Sequence, residues 1–407
     1  MRTETRRTRV VCPRLPDKRG NVRRLFACGR IRGHFHGVGT VNVRDISEAI
    51  EEFAPRELAY EWDRCGLAIG DPEWEVNRVM LALTVTPACA EAARRRRVHL
   101  IVSHHPPIWE PLKALRMDDP HTRMCLELAG ARIACYAAHT NLDVAPNGVN
   151  DALADALGLV ERKRLFVEQG LQIKLVTFVP ATHLASVREA ICEAGAGLIG
   201  NYSHCSFSAP GTGTFRPNEL ANPAAGERLA LNEENECRLE ALVPRHHLHG
   251  VIKALLRAHP YEEVAYDVVP LENLDRNTGL GVSGELPCSM PLGKWARRVR
   301  SALGAGHVRM VGDPATPVRT VAVIAGAGAS RIGDIPGGID ALVTGDIGYH
   351  DALHAQEKGL SLIDAGHAAT ERIILPVLAR FLKKRFKTLN VSTWDEPECF
   401  HVVPIKG

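Results

Sequence analysis

Along the chain, short apolar runs alternate with stretches whose apolar positions recur at helical spacing. RDISEAIEEFAP, from about residue 44, has the helical pattern and stops at Pro55. RVMLALTVT, HLIVSHH and RIACYAAHT have strand length and composition, whereas PACAEAARRRR, HTRMCLELAG and NGVNDALADALGL read as helices. This alternation predicts a layered α/β architecture. It resumes near residue 319 with the strands VRTVAVIAG and DALVTGD, a helix from about 348 and the strand LSLIDAG. A long helix over about 367–386 and a last strand within 395–403 complete the expectation.

Residues 165–286 differ. A strand (LQIKLVTFVP) and a helix (LASVREAICEAG) precede a Gly/Ser/Pro-rich middle (NYSHCSFSAPGTGTFRP) and an acidic stretch, then another helix and a strand (EEVAYDVVPLE). Two β-α-β passes suit a small ferredoxin-like α+β module. The predicted organisation is one α/β domain made of 41–164 and 287–407, with 165–286 inserted through linkers near 159–165 and 286–292. The length of 407 residues suits two or three domains.

Charge is uneven. Residues 1–40 carry eleven Lys and Arg against Glu4 and Asp17, so the rest of the chain is net acidic by six. The acidic body argues against nucleic-acid binding as the main activity. The basic head has no sustained apolar stretch and reads as a disordered extension; a transit peptide or a nucleic-acid tail are its alternatives. Eleven cysteines are scattered singly without C-x-x-C, as in a cytosolic protein with reduced thiols. No run of 18 apolar residues occurs, and the expectation is a soluble, cytoplasmic protein with no membrane partner.

The candidate chemistry lies at strand ends. His104 and His105 leave a strand where Pro106 and Pro107 forbid its continuation, so both rings can turn toward one volume. His139 and Asp143 follow the strand RIACYAAHT, and His367 and Glu371 open a helix four residues apart, on one face. Ligands gather at the carboxyl ends of strands in open α/β sheets. Imidazoles with carboxylates suit zinc, iron(II), manganese or cobalt. Five ligands exceed the needs of one open four-coordinate ion and fit two divalent ions sharing a carboxylate, or else satisfied structural histidines.

SHHPPIWEPLKAL, AHTNLDVAPNGVNDALA, TGDIGYHDA and DAGHAATER resemble, in order, the signatures of the Nif-three-like (NGG-interacting-factor-three-like) family. Its members are often described as type 2 homologues of GTP cyclohydrolase I. EWDRCGLAIGDP (61–72) resembles the N-terminal signature, with Arg64 where Asn is usual, which puts a substrate contact there in doubt. AHPYEEVAYDVVP and GLGVSGEL resemble the insertion of the longer members, which is similar to PII and CutA proteins. The likeness covers about 44–403 and places the expected start near Val41 or Val43. It implies a mixed-sheet α/β domain with a PII/CutA-like insertion. It also implies a dinuclear metal site at His104, His105, Asp143, His367 and Glu371, in a toroidal homohexamer whose sites face a cavity.

The expected activity is metal-dependent hydrolysis of a small molecule, with metal-bound water attacking carbon or phosphorus. For GTP, the nucleotide the resemblance implies, hydroxide would add at guanine C8, the imidazole ring would open and formate would leave. His139 and His350 are the candidates for moving protons. His139 could instead cap a loop, and His350 is placed near the pocket only because it follows DALVTGD. The alternative is a metal-binding regulatory or scaffold hexamer without robust catalysis, motivated by the insertion. Asp63 caps a turn or touches substrate; Thr370 binds an anion at a helix start or a local partner. GAGAS (326–330) lacks the third glycine of the dinucleotide pattern, because Arg331 stands there. RHHLHG (245–250) reads as a polar helix start, and RRRR (94–97) as a helix end favourable to the dipole.

Overall fold

The computed structural model describes residues 40–397 and 399–400; the basic head and the end of the expected last strand lie outside them. The chain forms two compact units. One holds the described residues up to Phe166 and from Asn277 on, and the other is Val167–Arg276.

In the first unit, α1 (Val43–Phe53) begins at Asn42, whose side chain accepts the Asp45 N–H while Asp45 accepts that of Asn42. There follow β1 (Gly66–Ile69), β2 (Arg78–Ala82), α2 (Pro87–Arg95), β3 (Leu100–Ser103), α3 (Pro120–Gly130) and β4 (Ala134–Ala137). Helices α2 and α3 each start with a capping Thr86 or Asp119 followed by proline. Next come α4 (Thr140–Val144), α5 (Val149–Leu157) and β5 (Val160–Gln169). The second unit contains β6 (Gln172–Pro180), α6 (Leu184–Glu193), β7 (Ser206–Phe215), β8 (Asn232–Pro244), α7 (Leu248–Ala258) and β9 (Tyr266–Leu271). The chain re-enters the first unit through β10 (Leu274–Pro291), α8 (Leu292–Leu303), β11 (Arg309–Val311) and β12 (Pro317–Val323). It ends with β13 (Ala341–Thr344), α9 (Tyr349–Glu357), β14 (Ser361–Asp364), α10 (His367–Glu371), α11 (Ile374–Arg385) and β15 (Asn390–Thr393).

The first unit has two mixed sheets, ordered β1-β4-β3-β2-β15 and β11-β14-β13-β12-β10-β5. In the first, β15, β2, β3 and β4 are parallel and β1 is antiparallel. In the second, β12, β13 and β14 are parallel. Strand alternation divides their side chains between cores. Leu81, Val102 and Tyr136 join Val321, Val343 and Ile363 in one central cluster with Leu153, Trp295 and Leu378 of the helices. Met80, Ile101 and Cys135 face α2 and α3, and Ala322 and Leu342 face the opposite side with Ala355 of α9. Both faces of each central strand are therefore covered, which explains their unbroken apolar runs.

The second unit is an antiparallel sheet ordered β7-β8-β6-β9, with α6 following β6 and α7 following β8. Ile173, Leu175 and Val243 pack with Val187 and Ile191 of α6 and Val251 and Leu255 of α7. A cavity of about 820 Å³ lies within this unit, lined in part by Phe178, Phe215 and Tyr261.

Several expectations change. The helix expected over 367–386 is broken at Arg372–Ile373 into α10 and α11. Pro376 supplies the reason: its ring has no N–H and collides with the carbonyl four residues earlier, that of Arg372. The expected linkers are strand β5 and the end of β10 with the start of α8. The Gly/Ser/Pro-rich middle includes strand β7, and the last described strand is β15, earlier than 395. RHHLHG does open α7, and Arg94 and Arg95 end α2. Among the described residues eight cysteines are free thiols, whereas Cys288 is disulfide-bonded. Among the described residues no helix is long and apolar enough to cross a membrane.

Candidate metal centre

Parallel strands of both sheets end at one place. Backbone pairing with β2 continues one step past β3, where His104 and His105 donate to the carbonyls of Ala82 and Leu83. Beyond them the chain bends, and the two imidazoles share one volume with centroids 5.1 Å apart. His139 follows β4 with its ring 5.1 Å from His104 and 5.7 Å from His105. From the other sheet, His367 and Glu371 project from α10 after β14, and the His367 ring is 5.3 Å from that of His105.

The Glu371 carboxylate lies at the middle. Its Oε2 is 3.0 Å from His105 Nε2, and its Oε1 is 3.1 Å from His367 Nε2 and 3.6 Å from His104 Nε2. Asp143, in the first turn of α4, places Oδ1 3.6 Å from His104 Nε2. Potential donor atoms of His104, His105 and His139 lie within 4.8 Å of one another, as do those of His105, His367 and Glu371.

The outward nitrogens explain how the rings are held. Each Nδ1 has an oxygen partner: His104 with the Ala138 carbonyl at 2.9 Å, His105 with Thr84 Oγ1 at 2.9 Å, His139 with Asp63 Oδ1 at 2.9 Å, and His367 with Asp346 Oδ2 at 2.7 Å. A proton on Nδ1 donating to each oxygen leaves the Nε2 lone pair for the centre, the tautomer that binds a metal. His104 Nε2 and Asp143 Oδ1 are buried and have no hydrogen-bond partner. Buried polar atoms normally find one, so this unpartnered pair marks a candidate ligand position.

Electrostatics agree. Burial acts to raise the Glu371 carboxyl, yet His104, His105 and His367 hold it well below the usual range. Burial pushes Asp143 up to about 6. For His104 burial acts downward, but Asp143 and Glu371 draw it up to about 9. The hydrogen bond with Glu371 likewise raises His367 to about 9. Without a cation, protons serve as the positive charge that these carboxylates require.

All five candidate ligands therefore meet, with His139 beside them. His350 does not: it is exposed on the first turn of α9 against Tyr349, and no hydrogen bond or ring contact joins it to the group. Asp63 holds His139 and accepts from Thr140 N and Oγ1 at 2.9 and 2.5 Å. Although burial opposes ionisation, these bonds keep its carboxyl far below the usual range. Thr370 Oγ1 donates locally to the His367 carbonyl at 2.7 Å and accepts from the distant Gly326 N at 2.9 Å. Gly326, set aside within GAGAS, matters in a different way: at φ +65° it lies against Glu371. Thr84 and the Ala138 carbonyl carried no signal in the sequence, and Asp346 lay in the TGDIGYHDA signature without being singled out. A third group of donors, Glu189, Glu193 and His204, is exposed on the second unit.

The fold and site define a class: a layered α/β protein with a histidine–carboxylate centre between the strand ends of two mixed sheets. The Duf34/NIF3 (NGG1p interacting factor 3) family pattern matches residues 41–397, and the chain belongs to that family. It is 39% identical over 365 residues to the Halalkalibacterium halodurans "GTP cyclohydrolase 1 type 2 homolog", covering 89% of this chain and 98% of that one. To the Bacillus subtilis protein of the same name it is 41% identical over 345 residues, covering 84% and 92%. Among solved structures it resembles a Bacillus cereus protein related to NIF3, with TM-score 0.79 and 39% identity over 90% of this chain and all of that one.

Proposed function

We propose that the protein is a divalent-metal-dependent hydrolase, with two ions held by His104, His105, Asp143, His367 and Glu371. The observation that carries this reading is the outward anchoring of every Nδ1, which leaves the Nε2 lone pairs converging on two carboxylates. Glu371 would serve both ions, a reading supported by its Oε2 facing His105 and its Oε1 facing His104 and His367. This mixed donor set suits zinc, iron, manganese or cobalt. Ions bound there supply Lewis acidity and acidify water. His139 is the proton acceptor: Asp63 fixes the hydrogen on Nδ1 and leaves Nε2 facing the centre. The names of the relatives make GTP the first substrate to assay. The unit Val167–Arg276 is read as a ferredoxin-like module of the PII/CutA kind, supported by its β-α-β-β-α-β order and strand arrangement.

The test is elemental analysis of protein purified without added metal, with GTP and a phosphoester panel assayed on wild type and His105→Ala. About two equivalents per chain and turnover that disappears in the variant are expected. Metal without turnover in either protein would reject the hydrolase in favour of a regulatory metalloprotein. Absence of metal uptake would reject both.

A further inference from the structure

Two indoles stand open beside the histidine group. Trp62 is 56% exposed and Trp109 45%, although large aromatic side chains are normally mostly buried. Their centroids are 5.8 Å apart at 55°, and each meets the His139 ring edge-on, at 6.3 and 5.5 Å. Tyr60 extends the array, 5.8 Å from Trp62.

Neither indole sits on a slack segment. Tyr60 N donates to Thr140 Oγ1, Asp63 N donates to Tyr60 O, and Asp63 is itself locked to His139 and Thr140, so the turn that carries Trp62 is tied to α4. Trp109 follows Ile108, which packs on the core beneath α2 and α3, while His121 Nε2 donates to the Pro107 carbonyl at 2.7 Å. Fixed backbone with open aromatic faces is the arrangement of a stacking platform: little further ordering is needed when a flat ring binds. Arg64, two residues beyond Trp62, is exposed, and its backbone N–H is held by Asp63 Oδ1 at 2.7 Å, so a positively charged side chain is carried on the same tied turn.

We propose that Trp62 and Trp109 form the recognition platform of this centre, and that its substrate carries a planar heteroaromatic ring bearing an anionic group, as nucleotides do. The proposal rests on the reading of the centre as a substrate-binding metal site. The platform lies against His139, so a stacked ring would bring an attached reactive atom to the edge of the histidine group.

The experiment is calorimetric titration of metal-loaded protein with purine and pyrimidine nucleoside monophosphates, the matching nucleosides and ribose 5-phosphate. Nucleosides are expected to bind, nucleotides more tightly, and ribose 5-phosphate at least tenfold more weakly than the nucleotides. Trp62→Ala and Trp109→Ala should each weaken ring binding about tenfold, Trp62→Phe should retain most of it, and Arg64→Ala should weaken nucleotides only. Metal content and melting temperature of the variants are measured alongside. Metal-loaded wild type that ignores every ring, or alanine variants that bind as wild type does, would overturn the platform while leaving the metal reading intact. Ring binding through these indoles in protein that takes up no metal would reject the metal reading and keep the platform. Variants that change the oligomeric state without changing ring affinity would show the indoles to be a contact between copies and overturn the proposal.

Discussion

Gly326 leaves no room for a methyl group. A Cβ built there would come 2.2 Å from Glu371 Oε1 and 3.4 Å from His367 Nε2, and its φ of +65° disfavours any L side chain. Gly326→Ala should therefore displace the central carboxylate and empty the site; normal metal content by elemental analysis would contradict this. Asp346→Asn is a subtler change, because Asn tolerates the φ of 55° at this position. It removes only the charge behind His367 Nδ1, and metal affinity should fall about 10–100-fold in chelator competition. An unchanged affinity would mean that the carboxylate does not support the ligand. The five candidate ligands were legible because histidines paired with acids recurred at strand ends. Their supports were not: a carbonyl such as that of Ala138 leaves no mark in a sequence, and Gly326 belonged to a motif that suggested another chemistry. His350 is exposed beside Tyr349, and adjacency to DALVTGD said nothing about which way the first turn of α9 faces.

At the scale of elements, alternation of apolar runs found the buried strands because both of their faces meet hydrophobic cores. Strand β7 escaped, since Pro210, Gly211 and Gly213 are turn residues by composition and only pairing along β8 makes the segment extended. The break between α10 and α11 was legible in Pro376 but lost within an otherwise helical pattern. The second unit offers a pH test. Buried His259 donates from Nε2 to the Phe178 carbonyl at 3.0 Å and accepts the Tyr261 N–H at Nδ1. Burial lowers its pKa, so protonation favours the unfolded chain, whose value is about 6.5. Its contribution is full above that value and is lost as pH falls through the lower folded one. Unfolding midpoints between pH 7 and 5 should drop more steeply for wild type than for His259→Gln; equal slopes would remove His259 from the account.

For the whole molecule, the layered α/β class followed from periodicity, but the sharing of one core by two sheets did not, because it depends on which alternate residue faces which neighbour. Trp295 of α8 is fully buried in that shared core. Trp295→Ala should cost about 3–5 kcal/mol in denaturant unfolding of the first unit; a loss below about 1 kcal/mol would show that the sheets do not depend on it. The candidate centre draws three of its five candidate ligands from the first sheet and two from the second, and the second unit is encoded between them. His104, His105 and Asp143 leave the ribosome long before His367 and Glu371, with Val167–Arg276 made in the interval. At translation rates of about 5–20 residues per second, the nascent protein spends roughly ten to forty-five seconds with three of the five candidate ligands made and two still to come. If the centre binds metal as proposed, its capture would be a late event in biogenesis, and premature release of the growing chain would yield a product with His104 and His105 but no Glu371.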